Sequence, residues 1–469
     1  MRILCNLPLE CFDERAAMRD VELVTFGPAH RMDVDGVHYP FDVAFDPSRG
    51  DWRQLQAALP AGFEPDVLLL YWPDQEPIPD GLEDCPWRVV GVVSDYNLSL
   101  PYLVGLWPFF DVLLCDRAGQ ELFKALTFAD VRYWCQYAQK RPFHRTFDDM
   151  GPRVVDIGFA GNLNPTVQRE RAPWLRRLHD LGDEGITVSV RGDVRGEGYG
   201  RFLNTCRIGW NRSIRGEANL RTFEVPACGA LLLQERGNLE VAEFFVPGEE
   251  CILYDDEDFE DVVLSLLADR RRIARIAAAG HRRVQEHRLG NRLGELVDLL
   301  GQTGPGRPSA SLADRTLGRA AAMLSTWADG QAVVAAALAA QRAAPEDPRA
   351  LNVLALASLR LQGNDGAQAA WRLWSRAAEI CPTYLPAVTN LVVLAGATPD
   401  RNLAAATRGE LARRRHPKRW EDLDGPTLPL GYGATAIDRS LALQAAVRGN
   451  RPELMAAALC GDGNVPQAV

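Results

Sequence analysis

Uninterrupted apolar runs, separated by polar and turn-forming segments, mark the first 300 positions. From Met1 to about Met150 they read "RILCNL", "VELVTF", "DVLLLYW", "RVVGVV", "DVLLC" and "VRYW", bounded by Asp, Pro and Gly. A run without polar alternation predicts a strand buried on both faces, and hence a parallel sheet covered by helices. A second series begins at "RVVDIGFAGN" (153–162). It passes through an amphipathic helix near 167–182, "ITVSVRGD" (186–193), "RIGWN" (207–211), a helix near 219–228, "ALLLQE" (230–235) and "ECILY" (250–254), and then helices over 256–300. Two successive βα series predict an α/β chain with two facing Rossmann-like domains, 1–150 and 151–300.

Past residue 300 the pattern changes. "GQTGPGRPSAS" (301–311) has the composition of a linker, placed at 301–315. From 316 to 469 the chain is alanine-rich, with helical periodicity and almost no strand signal. "ADGQAVVAAALAAQRAAPEDPRAL" (328–351) and "NDGAQAAWRLWSRAAEICPTYLPAV" (364–388) share an Asp-Gly start, a helix, a proline and a second helix. Pro345 and Pro382 lie 37 positions apart, against about 34 for a tetratricopeptide unit, so a loop or longer helix must absorb the excess. An all-α helical-repeat domain of tetratricopeptide-like (TPR-like) pairs is the reading. Trp371 and Trp374 fit its core better than a sugar platform.

Composition narrows the classes. A chain of 469 residues, 47% hydrophobic, suits about three domains. Its net charge of −10 argues against a surface that coats nucleic acid or anionic membrane, so a bound anion would need a local arginine cluster. The 10 cysteines form no C-x-x-C pair and no zinc-spaced group, and most sit in apolar runs. A reducing cytoplasm is expected, with no cofactor and no metal. "MRILCNLPLE" lacks a signal-peptide core, and no apolar stretch is long enough for a membrane span.

The chemistry concentrates in "NRSIRGEANLRTFEVPACGALLLQE", Asn211 to Glu235. Asn219 is a helix cap, with Leu220, Phe223, Val225 and Ala227 as the buried stripe. If the helix extends back, Glu217, Arg221 and Glu224 form an intrahelical ladder on a solvated face, worth a few tenths of a kcal/mol per pair. Core strands on both sides favour a ligand instead, because buried charge without one is costly. A helix N-terminus after a strand is an anion site, and Arg212, Arg215 and Arg221 add positive charge to it. Glu224, deeper in the helix, could accept from ribose hydroxyls. Phosphate at one end and a diol at the other describe a nucleotide-linked substrate.

"NLRTFEVPACGALLLQE", followed by "NLEVAEFFVPGEECILYDDEDFEDVVLSLLADRRRIARIAAAGHRRVQEH" (238–287), resembles the donor-binding half of the GT-B glycosyltransferases related to spore maturation. "IGFAGNLNPTVQRERAPWLRRL" (157–178), with Gly161 and Asn162 in its turn, matches the first strand and helix of that half. The resemblance implies a GT-B fold and sugar transfer from a nucleotide-diphosphate donor to an acceptor, without metal and with retention. It places the ribose contact on Glu224 and a diphosphate contact on Arg221, beside Asn211, Asn219, Leu220 and Arg215. Glu217 falls where relatives place a glutamate that touches the sugar, although their spacing is one residue longer. Arg171 or Arg169 takes the place of a diphosphate arginine, and the usual following lysine is absent from "APWL". Arg191 and Gly192, in the turn after a strand that borders the base, would contact the base or a phosphate.

Other features carry bland readings beside functional ones. Gly196, Gly198 and Gly200 in "VRGDVRGEGYG" read as a flexible turn, because neither G-x-G-x-x-G nor the P-loop lysine is present. Asp95 and Asp116 each follow a buried strand at the cleft edge, where either could deprotonate an acceptor hydroxyl or cap the next helix. Asp95 is the candidate base. His281 and His287 lie on an Arg-rich helix and read as surface or helix-end residues. A sugar-nucleotide epimerase of the same fold, or a repeat scaffold with a relic site, are the competing functions. The repeats would bind a protein acceptor or partner, or a second copy of the chain.

Overall fold

A computed structural model describes residues 1–7, 21–28, 33–34, 37–38, 40–126, 128, 130–138, 143–163, 171–301, 306–397, 402, 405 and 425–428. The first strands are β1 (Arg2–Cys5), β2 (Glu22–Gly27), β3 (Asp33–Val34), β4 (Val37–His38) and β5 (Val43–Ala44). Then come α1 (Trp52–Ala57), β6 (Val67–Tyr71), β7 (Arg88–Val92), α2 (Tyr96–Leu103), β8 (Val112–Cys115), α3 (Arg117–Ala125) and β9 (Val131–Tyr133). Apart from the antiparallel pair β3 and β4, these strands form one parallel sheet in the order β5-β2-β1-β6-β7-β8-β9.

Strand β6 shows why the apolar runs are unbroken. Its five residues are all buried. Leu68 and Leu70 pack into a cluster with Trp52, Tyr96 and Phe123, while Val67, Leu69 and Tyr71 pack into another with Leu293, Leu296 and Leu300. Each face of the sheet therefore has its own core.

The second series gives β10 (Val155–Ala160), α4 (Arg171–Asp180), β11 (Val188–Arg191), α5 (Gly196–Thr205), β12 (Cys206–Trp210) and α6 (Leu220–Ala227). It continues with β13 (Leu231–Glu235), α7 (Val241–Phe244), β14 (Ile252–Tyr254), α8 (Phe259–Ala268) and α9 (Arg270–Val284). The sheet is parallel, in the order β11-β10-β12-β13-β14. The next helix, α10 (Leu289–Gly301), was expected with this series but packs on the first sheet. Trp134 and Arg132 donate to the carbonyls of Arg292 and Leu299 at 3.1 Å each, and Arg88 to that of Leu300 at 2.7 Å. The chain thus returns to the first domain before the linker, which sequence order alone does not reveal.

Helices α11 (Leu312–Met323), α12 (Gly330–Ala343), α13 (Pro348–Gln362), α14 (Ala367–Ile380) and α15 (Leu385–Ala397) follow. The pairs α12–α13 and α14–α15 repeat at one offset, Gly330 to Ala367 and Pro348 to Leu385, both 37 positions. Trp374 is fully buried and donates to Asn352 Oδ1 at 2.9 Å, which is a core role. The expected linker is not a loose spacer where it is described. Arg307 donates to the carbonyls of Leu82, Cys85 and Trp87 and stands 3.3 Å from Asp111. Gly318 of α11 lies against Gly105, whose carbonyl oxygen would be 1.8 Å from a Cβ placed on Gly318. Among the described residues, no helix is long and apolar enough to cross a membrane.

Candidate active site

The loop 211–219 leaves the carboxyl end of β12 and runs into α6, which begins at Leu220. Glu217 therefore precedes the helix, and the Glu217–Arg221–Glu224 ladder does not form. The chain turns at Gly216 with φ of 85°, a conformation suited to glycine. Ser213 N–H donates to Glu235 Oε1 at 3.0 Å, and Asn238 Nδ2 donates to the Glu217 carbonyl at 2.8 Å. The Glu217 carboxylate accepts from the amides of Arg215 at 2.7 Å and Ile214 at 3.3 Å. Asn219 caps α6 by accepting from Arg221 N–H at 3.0 Å. Asn211 is fully buried, donates to Gln234 Oε1 at 2.7 Å and accepts from Arg221 Nη1 at 2.8 Å.

Two arginines converge at the carboxyl end of β10. Arg221 lies over the Phe159 ring at 4.4 Å and donates to the Ala160 carbonyl at 3.0 Å. Arg171 lies over the same ring at 5.1 Å and donates to the Asn162 carbonyl at 2.6 Å. Gly161 is what lets Arg221 approach, because a Cβ there would meet its Nη2. Among the described residues neither guanidinium forms an ion pair with a carboxylate. Burial first, and then repulsion from Arg221, lower the pKa of Arg171 to about 9. Glu217 opposes these effects on Arg171 from a distance, and two guanidinium groups that form no ion pair, beside a capped helix N-terminus, can seat an anion. Arg169 lies outside the described residues.

Glu224 is buried inside α6. Its Oε2 accepts from the Tyr199 hydroxyl at 2.7 Å, and its Oε1 lies 3.4 Å from His144 Nε2. Neither partner was expected. Tyr199 was legible as the one aromatic in "GEGYG", whereas His144 carried no local signal. The glycines of that stretch belong to helix α5 rather than to a flexible turn. Gly200 accounts for this, since its bare face meets the Phe143 carbonyl, 2.0 Å from where a Cβ would sit.

Arg215 leaves the anion seat and crosses to the first domain. Its side chain is 1% exposed and its Nε lies 3.1 Å from Asp116 Oδ2. Its Nη1 donates to Asn97 Oδ1 at 2.5 Å, and the guanidinium stands 4.0 Å from Asp95 and 3.8 Å from Glu217. Asp116 caps α3 through Gly119 N–H at 2.6 Å and accepts from Tyr96 Oη at 2.7 Å. Asp95 precedes α2 but makes no side-chain cap, so capping accounts for Asp116 and not for Asp95. The Asp95 side chain is 46% exposed at the cleft wall. Burial of that wall raises its pKa and Arg215 lowers it, with a net rise. Burial likewise raises Glu217, again opposed by Arg215.

The remaining expected residues lie elsewhere. Arg191 is exposed and pairs with Asp193 at 2.7 Å, although its carbonyl accepts from Gly161 N–H at 3.0 Å. Gly192 borders Leu163, 2.8 Å from a Cβ placed on it. Arg212 pairs with Asp256 at 2.8 Å and lies over Trp174 at 4.1 Å, outside the arginine pair. Leu220 is half-buried in the first turn of α6. His287 is no surface residue. It is packed among Phe223, Phe244 and Phe245, where burial lowers its pKa to about 4. His281, in the last turn of α9, contacts the Pro226 carbonyl at 2.9 Å. The described residues contain no group of three or more His, Cys, Asp or Glu able to hold a metal ion.

Residues 141–298 match the model of the glycosyl transferase-like family. The match spans the second sheet and leaves the whole of the first sheet and the helical array outside it. No curated protein matches the chain. Similar solved structures include an alpha-glucosyltransferase in complex with UDP and a 13-mer DNA containing an HMU base, at 12% identity, 64% of this chain, 100% of that chain and a TM-score of 0.46. Another is the sucrose-phosphate synthase of Thermosynechococcus elongatus, at 12% identity, 64% and 98% coverage and a TM-score of 0.39. A pneumococcal O-GlcNAc transferase in complex with UDP and GlcNAc is similar at 12% identity, 50% and 56% coverage and a TM-score of 0.35.

Proposed function

We propose that the chain is a glycosyltransferase that takes a sugar from a nucleotide-diphosphate donor and transfers it to an acceptor hydroxyl. The observation that carries this reading is the pair Arg171 and Arg221 on Phe159, which forms no ion pair with a carboxylate among the described residues and is set against the N-terminus of α6. A diphosphate would supply the missing charge, and the family match of residues 141–298 supports a sugar as its other half.

In this scheme Arg171 and Arg221, at the N-terminus of α6, hold the diphosphate and take up its charge as the bond to the sugar carbon breaks, without a metal. Glu224, oriented by Tyr199 and His144, accepts from the ribose hydroxyls. The turns that meet at Gly161 and Gly192 border the base. The acceptor oxygen bonds to the sugar carbon on the face from which the diphosphate departs, which retains the configuration, and its proton passes to Asp95, whose pKa burial raises against the pull of Arg215. Arg215 sets that carboxylate against the donor half and closes the two domains on one another. The helix pairs, read as TPR-like units, would present a protein acceptor, a partner or a second copy of the chain.

Incubation with a panel of UDP-, GDP- and dTDP-sugars, following nucleotide release and sugar identity, tests the reading. Release of a nucleoside diphosphate together with the sugar is expected. A sugar nucleotide altered but not cleaved would replace the transferase with an epimerase, and absence of all binding would overturn both.

A further inference from the structure

The helical array meets the first domain through a loop at the cleft. Loop 72–76 follows β6 at the carboxyl edge of the first sheet, where open α/β sheets place their ligands. It starts in a strained conformation, with Trp72 at φ of 52°, outside the range a bulky side chain normally adopts. Such a conformation persists only where its surroundings hold it. Trp72 accepts from the amides of Gln75 and Glu76 at 2.8 Å each, and its indole donates to Gln136 at 2.9 Å. A further hold comes from the turn between α11 and α12. Ser325 Oγ donates to the Asp74 carbonyl at 2.6 Å, and the Trp327 indole N–H donates to the Glu76 carboxylate.

That turn is itself fastened by the repeats. Arg360 of α13 donates to the carbonyls of Met323, Leu324, Thr326 and Ala328, at 2.5 to 2.8 Å. On its other side the loop reaches the backbone of the candidate base through Ser99. Ser99 Oγ contacts Asp74 Oδ2 at 2.8 Å and the Asp95 carbonyl at 3.4 Å. The two cores also interlock, since Ala322 packs in the first domain's cluster and Tyr102 in that of the array.

We propose that the helical array is a working part of the acceptor side of the cleft. Through Arg360, Ser325 and Trp327 it fixes loop 72–76 and thereby the position of Asp95, so that it governs the transfer step and leaves nucleotide binding untouched. Ser325 and Trp327 are positioning residues, since they act through the loop. The proposal rests on the glycosyltransferase reading for the identity of the step, and on the contacts alone for the mechanical link.

The test compares the full-length protein with Glu76→Ala, Glu76→Gln and the double variant Ser325→Ala/Trp327→Phe. The glutamine keeps an oxygen for the indole and serves as the rescue. Hydrogen exchange of the Gln75 and Glu76 amides should rise about fivefold or more in the alanine and double variants, as expected for loss of a net hydrogen bond, while segment 211–235 and helices α12–α15 stay protected. UDP binding and the KM for UDP-glucose, with water as acceptor, should stay within about twofold, while kcat falls about tenfold and Glu76→Gln recovers most of it. Unchanged exchange at 75–76 overturns the proposal, as does a loss of UDP affinity equal to the loss of kcat. If the unmodified protein binds no UDP and releases none from UDP-glucose, the transferase reading fails in its uridine form, while the exchange arm still decides the mechanical link.

Discussion

Arg215→Met tests whether the two halves are joined by charge. The substitution keeps an unbranched side chain and removes the cation facing Asp116, Asp95 and Glu217. Breaking a buried ion pair from one side costs about 3–5 kcal/mol. Here Asp116 keeps Tyr96 and Gly119 as donors, and Glu217 keeps the amides of Ile214 and residue 215. The loss should therefore fall at the lower end, about 3 kcal/mol, or roughly a hundredfold in the folded-to-unfolded ratio. The pH dependence gives a second handle. Asp95 and Glu217 already have raised pKa values in the fold, so their contribution is fully present below the ordinary carboxylate range and is lost as pH rises through the folded values. Without Arg215 both values rise further. The deficit of the variant should be larger at about pH 7.5 than at about pH 5, closer to the ordinary carboxylate range. Urea unfolding followed by tryptophan fluorescence at both pH values reads it. A deficit under about 1 kcal/mol, or one that grows as the pH falls, would refute the reasoning.

Other substitutions probe separate links. Gly318→Ala forces a methyl into the Gly105 carbonyl and should lower stability by about 1–3 kcal/mol, seen as a fall in Tm. An unchanged Tm would mean that the array does not pack tightly on the first domain. Glu240 is 1% exposed and its pKa is raised from 4.5 to about 7, with burial as the main cause. The stability it contributes is present below about 4.5 and lost as pH rises through about 7, amounting to roughly 3 kcal/mol, so Glu240→Gln should flatten the stability profile across that window. Tyr199→Phe removes the 2.7 Å hydrogen bond to Glu224 and should weaken UDP binding about fivefold by calorimetry. Unchanged affinity would remove Tyr199 from the donor site.

The strands were legible in the sequence because apolar runs buried on both faces leave no other economical solution. The helix pairs of the array were legible through a repeat whose 37-residue offset recurs in the structure. The helix at Asn219 and its charged neighbours stood out because charge between core strands is costly. Local signals of this kind depend on residues a few positions apart. They place Arg221 and Glu224 on α6 and Asp95 before α2, and go no further.

Tertiary structure decided which charges meet. Arg212, Arg215 and Arg221 lie within ten residues of one another, yet one pairs with Asp256, one with Asp116 of the other domain, and one stacks on Phe159. A long side chain sweeps several ångströms, so its partner is set by backbone paths that sequence spacing does not encode. His144 and Tyr199 reach Glu224 for the same reason. The return of α10 to the first sheet and the hold of the array on loop 72–76 rest on contacts between segments more than 150 positions apart. Only a folded chain brings such segments together.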